Sequence, residues 1–262
     1  MTDPSTIRTA LGESFDALQD LGASLTGAEW ETQSLCPDWD VRGVFEHVVS
    51  IENALVSWMP DAVDTPPPFS RANTFAEEVS GLDATAFMER VRGVFDHRRQ
   101  DLASISPSDL HRPSWTPVGP GTYGRFMEIR VFDFWVHERD ITTPLGRPTD
   151  DIGERAEIAL DEVEGSLGYI IGKKVGLPDG RSVVFHLSGP LERDIAVLVD
   201  GRAMVVESLT QSDVEISTDT LTFMQLACGR IDPQAPIDDG RIVWRGDSEF
   251  GERTARNLRF TM

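Results

Sequence analysis

Up to about residue 150 the apolar side chains of this sequence recur every three or four positions; beyond that point most of them alternate with polar ones in short runs. A three-to-four spacing gathers apolar groups on one face of a helix, whereas alternation gathers them on one face of a strand. The chain therefore reads as two architectures in series, helical first and sheet-containing second. Its 262 residues are enough to give each a core of its own. We expect domains at 1–150 and 151–262.

In the first half Ile7, Leu11, Phe15, Leu18 and Leu21 form the stripe of a first helix. Asp40 is placed to cap a second, whose apolar face is Val44, Val48, Ile51 and Leu55, with His47 on the same side. The segment "MPDAVDTPPPFSRAN" holds four prolines and reads as loop. A third helix starts near Asp83 and uses Phe87, Val91, Val94 and Phe95. A fourth, containing "VFDFWVHERDI", follows a loop rich in Pro and Gly and is stopped by Pro144 and Gly146. Four helices with unequal loops predict an antiparallel bundle. In the second half a helix from Ile152 to Ile171 precedes the strands "SVVFHLSG", "RDIAVLVDG", "RAMVVESL" and "DVEISTD". Helix "DTLTFMQLACGR", strand "GRIVWRGD" and helix "SEFGERTARNLRF" complete an α+β domain on a mostly antiparallel sheet.

A net charge of −20 argues against nucleic acid and anionic membranes as partners. No apolar run approaches the roughly 18 residues of a membrane helix, and "MTDPSTIRTALGESFDAL" lacks the features of a signal peptide, so a cytoplasmic protein is expected. The two cysteines, Cys36 and Cys228, have no CxxC spacing and are assigned to packing. GxGxxG, GxxxxGK[ST] and GxSxG are all absent.

Asp133 and His137 stand one above the other on the fourth helix. By themselves they could be a solvated ion pair, a buried hydrogen bond or two metal ligands. His47 on a facing helix adds a third donor, and a His, Asp, His set leaves one position of a tetrahedral ion open, as catalytic zinc sites do. His97, beside Arg98 and Arg99 on a face read as solvated, and His111 and His186 are taken as surface or structural. Trp39, Trp58 and Trp135 are assigned to the bundle core. Asp140 either hydrogen-bonds a ligand histidine or solvates the end of the helix.

The runs "LCPDWDVRGVFEHV" and "VFDFWVHERDI" resemble the two N-terminal motifs of the mycothiol-dependent maleylpyruvate isomerase family, within the DinB-like metal-binding bundles. "FHLSG", "DGRA", "ACGR" and "WRGD" resemble its sterol-carrier-like C-terminal domain. The resemblance implies a divalent metal, zinc by preference, on His47, Asp133 and His137. It also implies mycothiol, the low-molecular-weight thiol of actinobacteria, as cofactor. The family's middle ligand can be Glu; Asp133 is one methylene shorter and reaches with a small helix shift. The implied chemistry is attack of the cofactor thiolate on a small electrophile, in S-transfer or in cis–trans isomerisation of a maleylpyruvate-like substrate. Arg230 and Arg245 are candidates for binding the cofactor and taking part in catalysis, against a reading as surface arginines. A different metal-dependent hydrolase and an apolar ligand-binding protein stay open, as does a monomer or homodimer.

Overall fold

The computed structural model describes residues 3–260, which divide into two compact units meeting at Thr149 and Asp150. The first contains α1 (Pro4–Ser24), α2 (Gly27–Trp30), α3 (Val41–Leu55), α4 (Ser70–Val79), α5 (Ala84–Ser104) and α6 (Tyr123–Thr142). A 3-10 turn at Asp109–His111 and a small antiparallel pair, β1 (Pro113–Ser114) with β2 (Gly121–Thr122), lead into α6. The four long helices α1, α3, α5 and α6 form the bundle, with α1 and α3 each packing on both α5 and α6.

Helix starts follow the capping chemistry. The Asp40 and Asp83 carboxylates accept the backbone N–H groups of Gly43 and Ala86, and the Thr122 hydroxyl accepts that of Arg125. At the centre Phe15 stacks on Phe95 at 4.6 Å and meets Phe134 edge-on at 5.3 Å. Gly22 allows the close crossing of α1, because a Cβ there would lie 2.6 Å from the Met88 sulfur. Helix α6 is buried almost all round, so it is the helix the bundle is built on.

Helix α4 corrects the reading of "MPDAVDTPPPFSRAN" as loop to its end: the helix begins at Ser70, just past the proline run. Only Phe75 and Val79 are buried on it, too few for a periodicity to show.

The second unit contains α7 (Glu154–Tyr169), continued by a π-helical turn over Ile170–Val175, and then β3 (Ser182–Ser188), β4 (Arg193–Asp200), β5 (Arg202–Val206) and β6 (Val214–Asp219). It closes with α8 (Thr220–Ala227), α9 (Gln234–Asp238), β7 (Ile242–Gly246) and α10 (Ser248–Arg256). The sheet order is β5-β4-β3-β6-β7, antiparallel except for β3 beside β6. Phe185 stands opposite Ile195 and Ile216 in the two central pairings and meets Phe223 of α8 at 5.5 Å. Helix α7 lies close on β5 because Gly168 has no Cβ, which would fall 2.8 Å from the Ala203 carbonyl oxygen.

Candidate metal centre

His47 comes from α3, and Asp133 and His137 lie one turn apart on α6. One nitrogen or oxygen from each falls within 4.8 Å of the other two. His137 Nε2 is 3.6 Å from Asp133 Oδ1, and the two imidazoles meet edge-to-face at 4.9 Å between centroids. Two imidazoles and one carboxylate are the donors of a three-ligand catalytic site, so the residues fit a zinc-type ion. His47 and Asp133 are only half-buried, which leaves the triad open to a further ligand from outside.

The other nitrogen of His137 is already engaged. Its Nδ1 lies 2.8 Å from Asp140 Oδ2, a contact that requires the proton on Nδ1 when Asp140 is ionised. The Nε2 lone pair is then directed at the triad, the usual arrangement of a histidine ligand and its supporting carboxylate. The same Asp140 oxygen accepts the Cys36 thiol at 3.1 Å, and Cys36, His137 and Asp140 are all buried. Among the described residues these three form a second cluster of potential ligands. Its short N···O contact is that of a hydrogen bond already made, so we read the cluster as support for His137.

The segment before α3 is bound to this arrangement through its backbone. Leu35 N–H donates to the Asp140 carbonyl at 3.0 Å, and Val41 N–H to that of Thr32 at 2.9 Å. Trp39 is thereby held over His47, its ring stacked at 4.6 Å and tilted by 28°. It is half-buried beside the site, which corrects its assignment to the bundle core. Trp135 is buried under the Arg139 guanidinium, 3.5 Å from its ring, and Trp58 packs edge-on against Tyr123 and Phe126.

Behind Asp133 runs a chain of alternating charges. Arg130 Nη1 donates to Asp133 Oδ2 at 2.6 Å, and its Nε donates to Glu52 Oε1 at 2.9 Å. Glu52 Oε2 accepts Arg98 Nε at 2.8 Å, and Arg98 reaches the Leu55 carbonyl and Asp101. Glu52 and Arg98 are fully buried and Arg130 nearly so. Burial would raise the Asp133 carboxyl, but the Arg130 guanidinium, then the His137 and His47 imidazoles, outweigh it and hold the group at about 2. Burial would likewise lower Arg130, yet Asp133 and Glu52 keep it above its ordinary value.

The profile of the mycothiol maleylpyruvate isomerase N-terminal domain matches residues 11–142, and that of the family's C-terminal domain matches 157–249. The chain belongs to the mycothiol maleylpyruvate isomerase family. Two solved structures agree with that placement in fold. A point mutant of the mycothiol-dependent maleylpyruvate isomerase is 14% identical, covers 99% of this chain and 98% of its own, and superposes with a TM-score of 0.60. A second structure of the mycothiol-dependent maleylpyruvate isomerase is 17% identical over 88% and 90% of the two chains, with a TM-score of 0.59. No curated protein is a significant match.

The remaining residues singled out from the sequence have the following surroundings. Arg230 follows α8 and donates to the Cys228 carbonyl at 2.8 Å; Arg245 stands exposed on β7 opposite Glu215 of β6. His97 is exposed with Nδ1 2.9 Å from the Gly93 carbonyl, His111 is exposed, and His186 pairs with Asp194 on β4. Arg98 overturns the reading of its face as solvated, since it is fully buried against Glu52 while its neighbour His97 is exposed. Cys36 does more than pack, because its thiol is a donor to Asp140. The Glu52–Arg98–Arg130 chain escaped the sequence reading, although each residue interrupts an apolar stripe. Glu52 falls between Val48 and Leu55, and Arg98 between Phe95 and Leu102, all at helical spacing.

No helix among the described residues is long and apolar enough to cross a membrane.

Proposed function

We propose that this chain is a mycothiol-dependent isomerase acting on a maleylpyruvate-like activated double bond, with a divalent metal, zinc by preference, on His47, Asp133 and His137. The observation that carries the reading is the convergence of these three side chains from two helices, within 4.8 Å, in a member of this family. When bound there, a divalent metal supplies a Lewis acid that lowers the pKa of a thiol entering its open position. The protein's own residues prepare for this. Asp140 fixes the tautomer and direction of His137, Trp39 walls one side of His47, and Arg130 keeps Asp133 ionised.

The thiol is external. Cys36 is committed to Asp140, and Cys228 is buried in the other unit. We assign Arg230 and Arg245 to binding carboxylates of the cofactor or substrate, for which a guanidinium fork is suited. Two cysteines that form no disulfide and a reduced-thiol cofactor fit a cytoplasmic enzyme.

The test combines metal analysis with isomerisation of maleylpyruvate at increasing mycothiol, before and after chelation. Turnover should saturate with mycothiol, disappear on metal removal and return on readdition. Metal-dependent isomerisation without any thiol would refute the mycothiol requirement; metal-dependent release of a hydrolysis product would instead point to a hydrolase, and ligand binding indifferent to metal to a carrier.

A further inference from the structure

The two oxygens of Asp133 have different surroundings. Oδ1 faces the imidazole, 3.6 Å from His137 Nε2, close to the spacing of roughly 3.3–3.5 Å that two ligands about 2.0–2.1 Å from a tetrahedral ion would show. Oδ2 is taken by Arg130 Nη1 at 2.6 Å. That contact is an i, i+3 pair on one helix, and its geometry is fixed from behind: Arg130 Nε is bound to Glu52 of α3, and Glu52 to Arg98 of α5. Three helices thus immobilise one guanidinium, with every group except Asp133 at or below 4% exposure.

We infer that Arg130, held by Glu52, is a positioning residue that restricts Asp133 to a single metal bond through Oδ1. The inference rests on the metal reading given above. A carboxylate free to turn can offer both oxygens to a divalent ion, and doing so would occupy the position a thiol needs. The clamp prevents this by keeping Oδ2 in a charge-assisted hydrogen bond. The guanidinium also draws on the negative charge of Asp133, which lessens how far that ligand weakens the ion as a Lewis acid. Supporting groups of this kind typically affect metal affinity by about 10- to 100-fold when removed.

The deciding measurement is a crystal structure of the metal-loaded, unmodified chain, which shows how many Asp133 oxygens bind and therefore does not depend on a variant folding. One Asp133 oxygen is expected at bonding distance; two would overturn the clamp. Cobalt-loaded Arg130→Gln and Arg130→Lys should show loss of the intense visible bands typical of low coordination number, with metal affinity reduced about 10- to 100-fold. Lys keeps the charge but not the two-armed reach to Glu52 and Asp133. Folded variants with parental spectra and affinities would also overturn the proposal. An unmodified chain that takes up no metal would overturn the metal reading itself, and the clamp with it.

Discussion

Replacing Asp133 with Asn in the metal-free protein tests the electrostatics of the centre directly. The side chain keeps its shape and loses its charge. The folded carboxyl titrates at about 2 against an ordinary 3.8, a difference of a little under two pKa units. At about 1.4 kcal/mol per unit, the ionised form contributes about 2 kcal/mol to folding. With a quarter of the side chain exposed, water screens only part of that. The sign follows from linkage. The folded pKa lies below the unfolded one, so the contribution is present in full above about pH 4 and is lost as pH falls towards about 2. Parent and variant should therefore differ by about 2 kcal/mol at neutral pH, with the gap shrinking steadily over that acid window. Urea unfolding with a chelator present, followed by tryptophan fluorescence, is the assay. Five of the six tryptophans lie in the first unit, so the signal reports mainly on the helical part. A gap that stayed constant from neutral pH to about 2, or none at neutral pH, would refute the assigned role of Arg130.

His137→Ala should abolish stoichiometric metal binding; a full equivalent retained after dialysis would show that the ion sits elsewhere. Glu52→Gln leaves two buried guanidiniums without their shared counter-charge and should cost about 3–5 kcal/mol in urea unfolding. Residues 1–149 expressed alone should bind one metal but lack thiol-dependent turnover; full activity would remove Arg230 and Arg245 from the chemistry. The double substitution Cys36→Ser with Cys228→Ser should leave turnover within a few-fold of the parent, since a serine hydroxyl can still donate to Asp140. A folded, metal-loaded but inactive double variant would identify a protein thiol as the nucleophile.

Local order was legible in the sequence. The spacing of Ile7, Leu11, Phe15 and Leu18, the caps at Asp40 and Asp83, and the alternation around Phe185 and Val197 each depend on neighbours within a turn or two, so they can be read without knowing the fold. The pairing of Asp133 with His137 is of this kind, and the motif around His47 supplied the third candidate ligand. Helix α4 was hidden because two buried residues make no period. Charges at stripe positions were also ambiguous: the same spacing that carries Glu52 and Arg98 inward would suit a solvated edge of the helix. Only tertiary structure decides between these, because a buried charge is tolerated solely where a partner arrives from another helix. Glu52 meets Arg98 across 46 positions of sequence and Arg130 across 78, and Cys36 meets Asp140 across 104. The sequence by itself thus determined which side chains are candidate ligands of an ion. The packing of α3, α5 and α6 decided which way they face, what holds them, and which oxygen of Asp133 remains free, because these depend on contacts no local pattern encodes.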